Sequence, residues 1–345
     1  MLNARKSGRV RFFLFVAVIA IGVLATFHYV LASKASSEVR HVRWLISHQP
    51  TDVFTRAAAV FAQELSERTE GRLTLDVVNP QELGYSDTGD IPNADVLEYL
   101  ANARVELATT YTVGLGQDDP ALWSLNLPFR FSDYVSAGQI LDGATGMKLL
   151  DTVESTTDTH ALAFTMSGGF RIIASKSPIK TSADLKGKRI ATSGGPVAQA
   201  TLSALGAIPV PTDLESAARD IDENSIDAVE TTYSRLSAVL GSDNSYTENI
   251  AETYHSLFLT VILASDSFYA SLSAADQKAL REAALVAAKV EREDSASLGE
   301  QTKAALTANG TVVSIFTAPD KQMMQDATRK VYTEFESTYG AQFSK

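Results

Sequence analysis

The chain has 345 residues and no cysteine. Disulfides, thiolate metal sites, a cysteine nucleophile and a lipidated cysteine anchor are thereby excluded. Surplus positive charge is also lacking: 30 Lys and Arg face 41 Asp and Glu, for a net charge of −11. Five of the basic residues (Arg5, Lys6, Arg9, Arg11, Lys34) lie within residues 1–35, which hold no acidic residue. The remainder carries 25 against 41, or −16. That balance argues against a nucleic-acid partner, because phosphate contacts need a basic footprint. The five histidines (His28, His41, His48, His160, His255) show no metal-ligand spacing. No Gly-x-Ser-x-Gly elbow, metal-binding helix motif or Gly-Lys-Ser/Thr phosphate loop occurs. No catalysis, cofactor or metal is therefore expected.

What is present is an address followed by an ordinary globular body. Arg5 to Arg11 precede an apolar run from Phe12 to Leu31, the basic-then-apolar pattern of an export signal. Ser33-Lys34-Ala35 offers a cleavage site. The run is also long enough to span a bilayer, so a cleaved signal peptide and an uncleaved anchor (residues 12–31) both stand. Either places the body beyond the cytoplasmic membrane. With 45% hydrophobic and 21% charged residues, that body has a soft prior of two lobes or domains.

Along the body, strands alternate with helices, the mark of βαβ units and mainly parallel sheets. Strands are expected over 42–47, 72–78 and 105–111. Asp52 is expected to cap one helix and Asn93 another. Ligands of such sheets sit beyond the carboxyl ends of strands, here Ser47-His48 and Thr109-Thr110-Tyr111. His48 reads either as a pocket wall or as an exposed loop histidine.

The stretch from Gly168 to Glu230 is the most informative. Gly168-Gly169 is expected to turn the chain into Phe170-Arg171-Ile172-Ile173-Ala174. An arginine in an apolar strand needs a partner, and its fork can grip a carboxylate through two hydrogen bonds. Arg171 is thus a carboxylate ligand or half of an internal ion pair. Lys188 to Thr192 reads as a strand. Ser193-Gly194-Gly195 then leads into a helix begun by Pro196, offering backbone N–H groups to an anionic or hydroxylated ligand. An acidic helical segment is expected before Ile226. Later, Ser273 caps a helix that runs to about Ala308, some 35 residues or about 50 Å.

Several short motifs fall in order: Leu127-Pro128-Phe129, Asp142-Gly143 with Gly146, Gly169-Phe170-Arg171, Asp184-Leu185-Lys186-Gly187, Gly194-Gly195-Pro196-Val197, Leu205-Gly206-Ala207 with Pro209 and Pro211, and Asp227 with Glu230. Together they resemble the extracytoplasmic substrate-binding subunit of tripartite ATP-independent periplasmic (TRAP) transporters, of the dicarboxylate-binding type, over roughly residues 40 to 335. The resemblance implies a two-lobed α/β periplasmic-binding-protein fold with hinge strands and a long C-terminal helix spanning both lobes. One lobe would comprise 40–167 with 256–300, the other 168–255 with 301–345. It implies capture of a small organic acid and delivery to a membrane permease, by a protein expected to be monomeric. A membrane-tethered sensing module is the alternative.

Two positions depart from the family pattern. The arginine that usually fixes the substrate carboxylate is Ala191 here, and the usual pocket asparagine is Thr231. Arg189, on the same strand face as Ala191, either compensates in part or is a solvated strand residue. The expected ligand contacts are therefore Arg171, Arg189, Ala191, Ser193, Thr231, Ser47, His48 and Tyr111, with a simple dicarboxylate in question.

Overall fold

Among the described residues eleven strands, alternating with helices, sort into two sheets. The computed structural model describes residues 39–85, 90–214, 216–217, 225–240 and 248–341. The expected export segment and most of the acidic stretch before Ile226 lie outside the described residues. Among the described residues no helix is long and apolar enough to cross a membrane.

In chain order the main elements are β1 Arg40–Ile46, α1 Thr55–Arg68, β2 Leu73–Val78, α2 Asn93–Ala101, β3 Leu107–Tyr111, α3 Tyr134–Leu141, α4 Ala144–Thr157, β4 Thr159–Phe170, β5 Ile172–Ser175, β6 Arg189–Thr192, α5 Gly195–Ala204, β7 Ile208–Pro211, β8 Ala228–Thr231, α6 Tyr233–Leu240, β9 Asn249–Glu252, β10 Leu257–Ser265, α7 Ala274–Ala308, β11 Val312–Ile315 and α8 Ala318–Tyr339. The first sheet has the order β2-β1-β3-β10-β4 and the second β11-β9-β5-β8-β6-β7.

One strand in each sheet runs against its neighbours. β1 is parallel to β3, whereas β10 is antiparallel to β3 and β4. In the second sheet β6 is parallel to β7 and β8, and β9 to β11, whereas β5 is antiparallel to β8 and β9. The reversed strands are those that arrive from the other sheet. β4 leads through Arg171 into β5, and β9 leads through Thr253–Ser256 into β10. A strand entering from the cleft starts where its neighbours end, so it must run the opposite way. Hence Ile172 lies beside Thr231, and Thr260 beside Tyr111.

Alternation decides which residues share a core. In the first sheet Leu45, Ala108, Phe164 and Val261 pack on one face, and Trp44, Leu107 and Ile262 on the other with Phe61 of α1 and Ala284 of α7. In the second, Ile172, Ala174 and Val229 face one way and Ile173, Ile190 and Ala228 the other. Both faces are covered, which is why these strands read as near-continuous apolar runs.

α7 ties the sheets together. The Ser273 side chain caps it by accepting from the Asp276 N–H at 3.1 Å. Its first half packs Leu280, Ala283 and Ala287 into the first sheet's core, and near its end Leu306 joins the second sheet's core. Arg292 anchors its middle, donating to both Asp142 oxygens (2.8 and 2.7 Å) and to the Phe164 carbonyl (2.7 Å).

Local expectations shift in three places. Asp52 does not cap α1, which follows a short 3₁₀ turn over Thr51–Phe54 that has no side-chain cap. Asn93 is not a cap either, because its side chain instead bonds the Tyr111 carbonyl and the Thr110 hydroxyl. Gly168 and Gly169 do not end the strand. They sit inside β4 at φ +94° and +84°, a left-handed kink favoured by glycine, where β10 slips register between Phe258 and Leu259.

Candidate ligand-binding cleft

The carboxyl ends of β3, β6 and β8 and the two crossing segments enclose a cavity of about 210 Å³. Asp90, Asn93 and Tyr111 line it from the first sheet's side. Ser193, Pro196, Asp213 and Arg235 line it from the second, with Arg171 and Phe258 at the crossings. A narrower extension of about 10 Å³ reaches Ala191, Thr192, Glu230 and Thr231. The main cavity is smaller than the ~300–1,000 Å³ of drug-sized sites, and suits a small metabolite.

Arg171 sits where β4 becomes β5, its backbone N–H donating to the Ser256 carbonyl at 2.9 Å. Only 2% of the residue is exposed. Its Nη1 donates to Glu230 Oε2 at 3.1 Å, and its guanidinium carbon lies 4.4 Å from the Phe258 ring centre. Glu230 also accepts from the Thr192 hydroxyl at 2.5 Å, and meets His255 Nε2 at 2.6 Å. An ionised carboxylate only accepts, so His255 donates to it from Nε2, and the His255 Nδ1 bonds the Thr253 hydroxyl at 2.8 Å. Burial alone would raise the Glu230 pKa. The Arg171 charge and the bonds from His255 and Thr192 outweigh it and bring it down to about 2. Burial lowers the Arg171 pKa and Glu230 opposes this, but a guanidinium remains charged. Of its five N–H donors, one is engaged by Glu230.

A second guanidinium enters from the first turn of α6. Arg235 Nη2 bonds Asp90 Oδ2 at 2.9 Å, and Nη1 bonds the Gln49 carbonyl at 2.6 Å and the Tyr111 hydroxyl. That hydroxyl donates to Asp90 Oδ2 at 2.9 Å. The Arg235 guanidinium lies 5.1 Å from the Phe258 ring centre, so one aromatic ring serves both arginines. Burial pushes the Asp90 carboxyl up, but the charge and hydrogen bonds of Arg235 bring its pKa below the usual value. Burial raises the Tyr111 phenol well above its ordinary value.

Of the eight residues named from the sequence, Arg171, Ala191, Ser193, Thr231 and Tyr111 line the cleft. Arg171 is at once a cleft residue and half of an internal ion pair. The Thr231 hydroxyl is buried with no hydrogen-bond partner among the described residues.

Ser47 and His48 stand behind the wall. Ser47 donates to the Thr109 carbonyl at 2.5 Å. His48 is fully buried rather than an exposed loop residue, stacked on Tyr111 at 4.9 Å between ring centres. Burial lowers its pKa to about 3, so the ring is neutral. Arg189 is not in the cleft. It begins β6, about 10 Å from the strand's carboxyl end at ~3.3 Å per residue, and pairs with Asp227 at 2.9 Å. Sharing a strand face with Ala191 does not bring it to the same end of the strand.

Sequence reasoning missed Arg235, Asp90, Asn93, Asp213 and Phe258. Asp90 lies in a Gly-, Asp- and Pro-rich loop, and Arg235 reads as an ordinary helix residue, so neither carried a signal. Among the described residues no group of three or more His, Asp or Glu could hold a metal ion.

The profile of the bacterial extracellular solute-binding proteins, family 7, matches residues 46–338. Among similar proteins is the C4-dicarboxylate-binding protein DctB of Bacillus subtilis (strain 168). It is 29% identical over 180 residues, covering 52% of this chain and 49% of that protein. The 2,3-diketo-L-gulonate-binding periplasmic protein YiaO of Escherichia coli (strain K12) is 27% identical over 198 residues, covering 57% of this chain and 58% of that protein. The chain thus aligns with about half the length of each of these relatives. A solved TRAP periplasmic solute-binding protein from Ochrobactrum anthropi superposes with a TM-score of 0.78 at 20% identity, covering 89% of this chain and 93% of that one.

Proposed function

The chain belongs to the bacterial extracellular solute-binding proteins, family 7, and on that premise we propose that it captures a small organic acid in the cleft and delivers it to a TRAP-type membrane permease. It performs no chemistry on the ligand. The observation that carries this reading is Arg171, a buried guanidinium facing the cleft with one N–H held by Glu230 and its other donors without a protein acceptor among the described residues. A guanidinium so placed suits a two-point grip on a carboxylate. The Thr231 hydroxyl, unpartnered among the described residues, and the Ser193-Gly194-Gly195 approach to α5 add further polar contacts.

Closure moves the lobe of residues 40–167 and 256–300 against that of 168–255 and 301–345, with α7 laid across both. Binding proteins of this kind close around ligands by hinge motion. The body acts outside the cytoplasmic membrane as a monomer, released by signal cleavage or tethered by residues 12–31. N-terminal sequencing of the exported protein separates these two forms.

Calorimetry with a panel of small organic acids tests the capture step. Arg171→Lys keeps a charge beside Glu230 but loses the fork. It is expected to weaken binding by about 10- to 100-fold, the worth of a charged hydrogen bond. An acid that binds the variant as tightly as wild type overturns the anchoring role. Uptake into vesicles bearing the permease, dependent on a sodium gradient and on this protein, tests delivery.

A further inference from the structure

We propose that Asp90 selects ligands with a single carboxylate, because it engages the second guanidinium of the cleft and leaves the far end of the ligand facing hydrogen-bond acceptors. This inference rests on the organic-acid reading above and specifies its substrate class.

Among the described residues two cations line the cleft, Arg171 and Arg235, along with three carboxylates, Glu230, Asp90 and Asp213. The cations are not equivalent. Arg171 gives one N–H to Glu230. Arg235 has Nη1 and Nη2 directed to Asp90, the Tyr111 hydroxyl and the Gln49 carbonyl. Ala191 supplies no charge. Among the described residues, one carboxylate of a ligand therefore has a cation to meet, and a second one does not. Placed toward Asp90 and Asp213, a second carboxylate would find Arg235 already paired with Asp90 and would meet like charge at Asp213.

Those same groups welcome donors. Among the described residues each Asp213 oxygen receives one bond from Ser216, at 2.6 and 2.9 Å, leaving lone pairs for further donors. Ligand hydroxyls can donate there. Asp90 is already neutralised by Arg235, and Asp213 is exposed. Neither presents the buried, uncompensated carboxylate that would favour a ligand ammonium. The chemistry that fits is a hydroxylated monocarboxylic acid.

The test is calorimetry on the full-length protein with three four-carbon probes: D-erythronate, succinate and 4-aminobutyrate. Wild type is expected to bind D-erythronate about tenfold or more tighter than either of the others, the scale on which one nearby charge acts. Asp90→Asn keeps the shape and releases Arg235 from its ion pair. It is expected to raise succinate affinity about tenfold relative to D-erythronate. A wild-type preference for succinate, or for 4-aminobutyrate, overturns the inference and leaves the organic-acid reading standing in the first case. A variant that folds with an unchanged ratio also overturns it. If the variant does not fold, the wild-type ranking alone decides. Binding of none of the three probes overturns this inference, and failure across the wider acid panel overturns the reading beneath it.

Discussion

Glu291 of α7 is bonded to the kinked strand through Met166, its Oε2 accepting from the Met166 N–H at 2.6 Å. Its Oε1 lies 2.6 Å from the Ser295 hydroxyl. That hydroxyl accepts from the Gly168 N–H at 3.0 Å and also contacts the Met166 carbonyl. The Ser295 hydroxyl donates to Glu291 Oε1. Burial, against the pull of Ser295, the Met166 N–H and nearby Arg292, raises the Glu291 pKa to about 8. Burial thus favours a neutral carboxylic acid, pinned against the crossing strand by the bonds it accepts.

Glu291→Gln should reproduce the neutral acid. In wild type the folded state holds a proton that the unfolded chain releases above the ordinary carboxyl range. Stability should therefore fall as pH rises from about 4.5 to about 8. The variant should lose that slope, matching wild type near pH 5 and melting a few degrees higher near pH 8. Melting curves across this range decide the matter, and a variant less stable than wild type at pH 8 contradicts it.

Glu230 has the opposite sign. Its pKa is lowered to about 2 in the folded state, so its contribution is present above about pH 4.5 and lost as pH falls through 2. Glu230→Gln leaves the buried Arg171 uncompensated and should cost about 3–5 kcal/mol at neutral pH. Urea unfolding at pH 7 and pH 3 should show a smaller difference at the lower value. An equal difference at both pH values would rule out the linkage.

The Thr231 hydroxyl is buried and unpartnered among the described residues, a state that costs about 1–3 kcal/mol. Thr231→Val should leave the unliganded protein as stable as wild type or more so, while weakening ligand binding. Paired thermal-shift and calorimetric measurements read both. Loss of stability without loss of affinity would place the hydroxyl in the fold rather than the site.

Gly168 has φ +94°, and a Cβ there would be built against the Thr232 hydroxyl. Gly168→Ala should destabilise by about 1–3 kcal/mol from left-handed strain and crowding. A variant of wild-type stability, measured by urea unfolding, would show that the kink tolerates a side chain.

Much of the fold was legible because its signals are local. Ser273 followed by Asp276, the helical spacing through Leu280 and Ala287, and the Asn309-Gly310 stop define α7 from neighbours in sequence alone. Thr181, Asp184 and Pro196 mark turns in the same way. Gly168-Gly169 announced a special backbone, but not whether it would end a strand or bend one. That depended on β10 pairing along both sides of the kink.

The cleft was legible where a residue's chemistry clashed with its surroundings. Arg171 stood out because a cation in an apolar strand needs an answer. Arg235 did not, because a helix interior tolerates arginine on a solvated face. Arg189 misled for a related reason, since periodicity reports the face of a strand and not which end faces the cleft.

By itself, then, the sequence determined the alternation of strands and helices, the long C-terminal helix, the lack of thiol chemistry and the demand of Arg171 for a negative partner. These follow from properties of neighbouring residues. Tertiary structure alone decided that Glu230 is that partner and that Arg235, 145 residues from Asp90 in the chain, meets it across the cleft. It also decided that Glu291 is buried against Met166. The physical reason is that burial and charge pairing depend on distances in space, which the chain crossings set and local sequence does not encode.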